Sequence, residues 1–356
     1  SIAYGIKDNA FSYLLLTFAN QALGVPGYLA SLALAIAIVW DALTDPLLGH
    51  WSDKTQSKLG RRHPFMYAAL FILPASFYAL FNPLIDVRGE DAFWHVFILA
   101  ILIRTGTTLF EVPCTALLPD LEKDYDRRNR WLALRHLFGW TGGNGLHTIN
   151  VTFWVGAYGF ASATGYMIYG TVGAAIIALA ILISSLGTQR AAAQMPRPQE
   201  PFRFNAIGKE FGQIFESLKN RNFAALFFYS LLFGAAAGLS TALYLYITRF
   251  FFEFTGAQIG ITGIAVLLAP FIAWPLAPKL GFLLGKKVTA ISLQLTRLAL
   301  YPIPYICVLM GWWPALGSTA SIAIYTAFIF TEVAVFIVSA VMLDSMMADV
   351  VEDSEK

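Results

Sequence analysis

Long apolar runs alternate with short polar stretches along this chain. An α-helix needs about 20 mostly apolar residues to cross the hydrocarbon core of a bilayer. That criterion predicts ten spans, at residues 2–22, 28–50, 64–84, 93–118, 132–157, 164–186, 223–250, 258–280, 287–310 and 314–345. One interruption is longer than the others. Residues 187–222 carry Pro196, Pro198 and Pro201, then read FNAIGKEFGQIFESLKN, with Phe204, Ile207, Phe211, Ile214, Phe215 and Leu218 at helical spacing. The pattern predicts a linker with an amphipathic surface helix. It divides the chain into an N-terminal half over 1–186, a linker over 187–222 and a C-terminal half over 223–356.

Composition agrees with the spans. Of 356 residues, 57% are hydrophobic and 13% charged, where a soluble domain carries about 25% charged residues. The chain reads as an all-α, polytopic membrane protein whose surroundings are a lipid bilayer, with no sign of a nucleic-acid partner. Its net charge of +2 hides an asymmetry between loops. Lys54, Lys58, Arg61 and Arg62 follow span two, and Lys123, Arg127, Arg128 and Arg130 follow span four. Six more cations lie between spans six and seven, and Lys286 and Lys287 follow span eight. The alternate loops hold little beyond Arg88 and Arg249. The positive-inside rule therefore predicts a cytoplasmic N-terminus and a cytoplasmic tail after span ten. Cys114 and Cys307 lie within spans and read as small apolar-site residues rather than a disulfide or a metal site. No cleavable signal peptide opens the chain. It begins with Ser and ends in DVVEDSEK, and the expectation is that both ends are trimmed.

Chemistry enters through the charges inside the spans. Asp41 and Asp45 stand four residues apart in span two, on one helix face. A charge at the centre of a spanning helix costs about 2.5–3.5 kcal/mol on insertion scales, so such residues mark ion or substrate paths. In span four, Arg104, Thr108, Glu111 and Thr115 form one stripe. Hard cations prefer oxygen ligands, and Asp41, Asp45, Thr44 and Thr108 supply them if spans two and four meet. The plainer alternative is a structural pair, with the aspartates locked to Lys7 or Arg135. Arg104 is either a cavity charge or a structural partner, for Glu111 among others. Lys7, Arg104 and Arg135 against Asp8, Asp41, Asp45 and Glu111 leave one net negative charge in spans one to five. One monovalent cation or one proton would balance it.

Recognition of a polar substrate needs directional hydrogen bonds, which carboxylates accept in pairs and arginine donates as a planar fork. Asp8, Glu111 and Arg135 are the candidates. Asp53, Arg61 and Arg62 read as a cytoplasmic latch for alternating access, or simply as charges that set topology; Asp120, Asp124, Asp126 and Arg128 are in reach of the same cluster. Arg297 and Glu332 are the mid-span charges of the second half and are expected to pair, unless one of them lines the cavity. His136 and His147 are expected to be satisfied polar core residues. Glycines 139, 142, 143 and 145 permit close helix packing or bending.

Several segments carry a family resemblance. GHWSDKTQSKLGRRHP (49–64) resembles the loop 2–3 signature of the major facilitator superfamily. YGIKDNAF (4–11), DALTDPLLG (41–49), EVPCTALLPDL (111–121) and DRRNR (126–130) resemble, in order and spacing, motifs of its glycoside–pentoside–hexuronide:cation symporter (melibiose-permease-like) family. MLDSMMADVVEDSE (342–355) resembles the segment before that family's eleventh helix. The resemblance implies two six-helix halves, of which about ten helices are present here and the last two are missing. It implies a cation site at Asp41, Asp45 and Thr108, with Thr44 at a position where the family has an asparagine. It implies sugar contacts from Asp8, Glu111 and Arg135, with Lys7 as in the family's first motif. Glu111 replaces an aspartate, and Thr115 stands where a tryptophan contacts sugar.

The expected function is symport of a glycoside or related sugar with Na⁺, Li⁺ or H⁺, by alternating access, in a plasma (inner) membrane and as a monomer. No other cofactor is expected. A lysophospholipid cargo on the same fold is the alternative. An enzyme is not expected, since the sequence has no His cluster for a metal, no phosphate-cradling loop and no nucleophile–base pair.

Overall fold

The computed structural model describes residues 1–83, 87–122, 124–195 and 221–354. Helices make up the regular structure of these residues, and each predicted span falls on one of them. They are α1 (residues 2–22), α2 (Gly27–Lys54), α3 (His63–Phe81), α4 (Ala92–Leu121), α5 (residues 125–158), α6 (Ala163–Ala193), α7 (residues 221–251), α8 (Gly256–Leu284), α9 (Lys286–Leu300, then Ile303–Leu309 after a break at Pro302) and α10 (Thr319–Ser354). Among the described residues, eight helical stretches are long and apolar enough to cross a membrane. α1 and α5 fall outside that set. α1 is broken by π-helical turns at Ala10–Leu14 and Phe18–Ala22, and α5 opens on the charged YDRRNR and holds a π turn at Asn150–Trp154. The amphipathic helix predicted over 204–218 lies outside the described residues.

Local chemistry sets the helix starts. Pro64 at the first turn of α3 lacks the N–H that would be unsatisfied there. Thr255 and Gln258 form a reciprocal capping box on α8, and Gln258 Nε2 also donates to Gly317 O at 2.8 Å. Cys114 and Cys307 are free thiols.

The chain divides into two compact units, Ser1–Lys209 and Glu210–Lys356. In the first, α2 packs on α4, α3 on α4 and α6, and α1 on α5 and α6. α1 and α5 approach very closely. A Cβ on Gly5 would lie 1.9 Å from Gly139 O, and one on Gly143 would lie 2.4 Å from Gly5 O. Only glycine permits that separation. Of the four glycines predicted for this role, Gly139, Gly142 and Gly143 face α1, while Gly145 has nothing within 4 Å. In the second unit, α8 and α9 each pack on α10, as α2 and α3 pack on α4.

The same backbone device ends α1 and α7. Leu23 N donates to Phe18 O (3.1 Å), Val25 N to Ala19 O (2.8 Å) and Gly89 N to Leu23 O (2.8 Å). Phe252 N donates to Ile247 O (3.1 Å), Phe254 N to Thr248 O (3.0 Å) and Gly317 N to Phe252 O (3.2 Å). The offsets are 252 − 23 = 229, 254 − 25 = 229 and 317 − 89 = 228. The duplicated turn needs a left-handed residue, supplied by Gly24 (φ 72°) in the first copy and by Glu253 (φ 59°) in the second. The two units are thus an internal repeat at the level of backbone hydrogen bonds.

Candidate functional site

The packing of α2 on α4 brings the predicted cation residues together. Arg104 Nη1 donates to Asp41 Oδ2 at 2.8 Å, and Thr108 Oγ1 donates to Asp41 Oδ1 at 3.1 Å. Thr108 lies one turn after Arg104 on α4 and is also within hydrogen-bonding reach of Asp45. The partner of Asp41 is therefore Arg104, not Lys7 or Arg135. Trp40 Nε1 donates to Thr105 Oγ1 at 2.9 Å and fixes the same interface. Phe11 of α1 lies under the Arg104 guanidinium, 4.8 Å from Cζ to the ring centroid. That cation–π contact helps hold the Arg104 guanidinium; no periodicity in the sequence pointed to it.

Pro46 follows Asp45 inside α2 and has no N–H to give to the carbonyl of Ala42, so that oxygen is left without its helical bond. Thr44 is placed differently from the other three. Its hydroxyl donates to Trp40 O (3.0 Å) and Asp41 O (3.3 Å) of its own helix, and the structure does not bring it onto a carboxylate.

Arg135 of α5 donates through Nη2 to Glu111 Oε1 of α4. The other oxygen, Glu111 Oε2, is buried and has no protein partner. Thr115 donates back to Glu111 O at 2.7 Å. On α1, Lys7 is 1% exposed, while the side chain of Asp8 is about half exposed. Lys7 Nζ lies 3.9 Å from Asp8 Oδ1 and 4.6 Å from the centroid of the Tyr4 ring. Tyr4 was not foreseen, although its place one turn before Lys7 was available as a signal.

The charge inventory now resolves into pairs. Arg104 takes Asp41, Arg135 takes Glu111 and Lys7 lies beside Asp8. Of the seven groups, Asp45 is left half-buried without a cation in ion-pair distance.

The predicted latch residues form one cluster at the ends of α2 and α4. Arg62 is 5% exposed. It donates to Asp53 Oδ1 (2.7 Å) through Nη2, and to Asp120 Oδ2 and Ala116 O through Nη1. Arg61 donates to the same oxygen of Asp120. Asp124 instead caps α5, accepting from Arg127 N at 2.8 Å. The side chains of Asp126 and Arg128 lie outside the described residues. Next to the latch, His63 Nε2 lies 3.1 Å from Ser185 O and 3.0 Å from Thr188 Oγ1, tying α3 to α6.

In the second unit Arg297 Nε donates to Glu332 Oε1 at 2.9 Å, so the two mid-span charges pair as expected. Phe336 lies 4.9 Å from the guanidinium carbon. The two histidines differ from expectation. His136 is exposed, and His147 is buried with Nδ1 lacking a partner. α5 turns the first away from the packed interior and sets the second against Tyr13 of α1.

Comparison with known proteins adds family evidence. The family model described as MFS/sugar transport protein matches residues 1–356. An uncharacterized symporter of Synechocystis sp. is 32% identical over 151 residues, covering 38% of this chain and 27% of that protein. Sucrose transport protein SUC4 of Arabidopsis thaliana is 29% identical over 147 residues, covering 36% and 28%. Sodium-dependent lysophosphatidylcholine symporter 1 of Gallus gallus is 26% identical over 134 residues, covering 37% and 25%. The matched stretches span about a quarter of the length of these relatives.

Proposed function

This chain belongs to the MFS/sugar transport protein family, and from that premise we propose that it is part of a cation-coupled symporter of a glycoside or related sugar. The observation that carries the proposal is Asp45. It is a half-buried carboxylate on a membrane-spanning helix, beside Thr108 and left over after three cation–carboxylate pairs form around it. An uncompensated charge at that depth calls for a mobile counter-ion. Na⁺, Li⁺ or H⁺ at Asp45 fills that role, with Asp41, Thr108 and the free carbonyl of Ala42 as further oxygen donors.

The substrate groups are Asp8, Glu111 and Arg135. Glu111 Oε2 is an unused acceptor beside a guanidinium, and the exposed Asp8 carboxylate is a second acceptor. Together they suit adjacent sugar hydroxyls. Lys7 holds Asp8 in place, and Thr115 leaves room where a bulky ring would close the pocket. Arg61, Arg62, Asp53 and Asp120 gate the cytoplasmic side, with the N-terminus cytoplasmic and the carrier acting as a monomer in the plasma membrane. Coupling is reciprocal: cation and sugar each tighten the binding of the other.

A second reading keeps the fold and takes an amphiphile such as a lysophospholipid. The similarity to a lysophosphatidylcholine symporter favours it, as does the absence of an aromatic ring at Thr115. Uptake of a labelled glycoside panel into vesicles, with and without Na⁺, Li⁺ or H⁺ gradients, tests the proposal. Accumulation of one sugar that collapses with one ion gradient is expected. No sugar uptake by folded full-length protein, with uptake of a labelled lysophospholipid instead, would overturn the sugar reading.

A further inference from the structure

α1, α5 and α6 enclose a set of polar side chains that the candidate site does not use. α1 and α5 run side by side in a fixed register. Asn9 Nδ2 lies 2.3 Å from where a Cβ on Gly143 would stand, and the Tyr13 and His147 rings are 4.9 Å apart. Both pairs give one offset, 143 − 9 = 134 and 147 − 13 = 134. Extrapolated along both helices, that offset brings Thr17 level with Val151 (17 + 134 = 151), next to Asn150. α6 closes the third side. The Tyr169 hydroxyl donates to Ile6 O at 3.3 Å, and the Asn150–Trp154 turn packs on α6.

Six buried polar atoms along this seam meet no protein partner: Asn9 Oδ1, Thr17 Oγ1, His147 Nδ1, Thr148 Oγ1 and both amide atoms of Asn150. Asn150 is 0% exposed. Buried polar groups without partners are costly in any protein, and more so at membrane depth, where bulk water cannot reach them. His147, Thr148 and Asn150 fall within one helical turn of α5, and Asn9 and Thr17 stand about two turns apart on α1, so more than one bridging water satisfies the set. The backbone adds a second observation. π turns at Ala10–Leu14, Phe18–Ala22 and Asn150–Trp154 border the same residues. Such turns shift the side chains that follow them and recur at functional positions.

We propose that this seam is an internal water-binding site, in which ordered waters bridge Asn9, Thr17, His147, Thr148 and Asn150. It begins one residue from Asp8 and follows α1 to the π turn of α5, giving that end of the candidate site a hydrated lining inside the helix bundle. The site stands on burial and hydrogen-bond inventory and holds whatever the cargo is.

Radiolytic hydroxyl labelling of the full-length protein in nanodiscs tests it, because bound water generates radicals beside buried side chains. Corrected for intrinsic reactivity and for its slightly greater exposure, 6% against 0%, His147 is expected to oxidise several-fold faster than the buried Phe77 and Phe81. Labelling of His147 at the rate of those two would overturn the proposal. Asn150→Leu and the milder Thr148→Val are each expected to cut His147 labelling by more than half. Unchanged labelling in folded variants, with a raised melting temperature on loss of the amide, would mean a dry seam and would also overturn it.

Discussion

Arg104 and Asp41 form a 2.8 Å ion pair between α4 and α2, and the pairing leaves Asp45, one turn along α2, beside Thr108 without an ion-pair partner of its own among the described residues. The two aspartates share a face but not a role. Asp41 is held by Arg104 and Thr108, and on the proposed function Asp45 takes the mobile ion.

Asp45→Asn should therefore remove cation stimulation of uptake by about tenfold or more, equivalent to about 1.4 kcal/mol of lost coupling, while the protein still folds. Initial rates with and without the driving ion measure this. Equal stimulation in the variant would refute the assignment.

Breaking the pair from one side should harm folding more than removing both charges. Arg104→Gln strands Asp41 and is expected to cost about 3–5 kcal/mol. The double variant Asp41→Asn/Arg104→Gln should recover part of that loss. Thermal melting of the purified single and double variants checks it. A double variant less stable than either single would contradict the pairing.

In the cluster at the ends of α2 and α4, Arg62 and Arg61 share Asp120, but Arg62 is buried and also holds Asp53 and Ala116 O. Arg62→Ala should cost about 1–3 kcal/mol, the range for stranding buried partners. Arg61→Ala should cost about 0–1 kcal/mol, since this pair is only partly buried and Asp120 keeps Arg62. The melting temperatures should rank accordingly.

The α1–α5 contact separates two glycines two residues apart. Gly143→Ala would drive its Cβ onto Asn9 and Gly5 O and should cost at least about 1–3 kcal/mol by overpacking. Gly145 has open space, and Gly145→Ala should gain about 0.5–1 kcal/mol from helix propensity. Similar effects from both would show that the close approach is not maintained in the membrane.

At the end of α7, Glu253 occupies the left-handed conformation that glycine fills in the first copy. A non-glycine residue there costs on the order of 1 kcal/mol or more. Glu253→Gly should raise stability by up to about 1 kcal/mol in chemical denaturation. Gly24→Glu should lower it by a like amount.

Each span predicted from hydropathy falls on a helix among the described residues, and eight helical stretches there are long and apolar enough to cross, because a bilayer demands long apolar segments whatever they pack against. The π turns in α1 and α5, and the one at Ile247–Phe251 in α7, were not visible, since one inserted residue leaves local composition unchanged. Spacing identified Asp41, Asp45 and the α4 stripe, but not who pairs with whom. That depends on lateral packing of α2 on α4, which a one-dimensional pattern does not contain. Thr44 shows the same limit: it shares the right neighbourhood in sequence, yet its hydroxyl turns back to its own helix. Arg297 and Glu332 were easier, because each was the only mid-span charge that could answer the other. His147 was misjudged because a histidine on an apolar span gives no sign of whether its second nitrogen finds a partner.

On the proposed cycle, the lone carboxylate of Asp45 makes the empty and loaded carriers electrically different. With one cation bound the first unit's membrane-embedded groups sum to zero, and without it they carry one negative charge. The loaded step then feels little of the transmembrane voltage. The empty return step moves negative charge toward the outer face, and an interior-negative potential drives it with up to about 2.3 kcal/mol per 100 mV. Voltage thus enters through the maximal rate at saturating sugar rather than through sugar affinity, a distinction that transport currents at stepped potentials resolve.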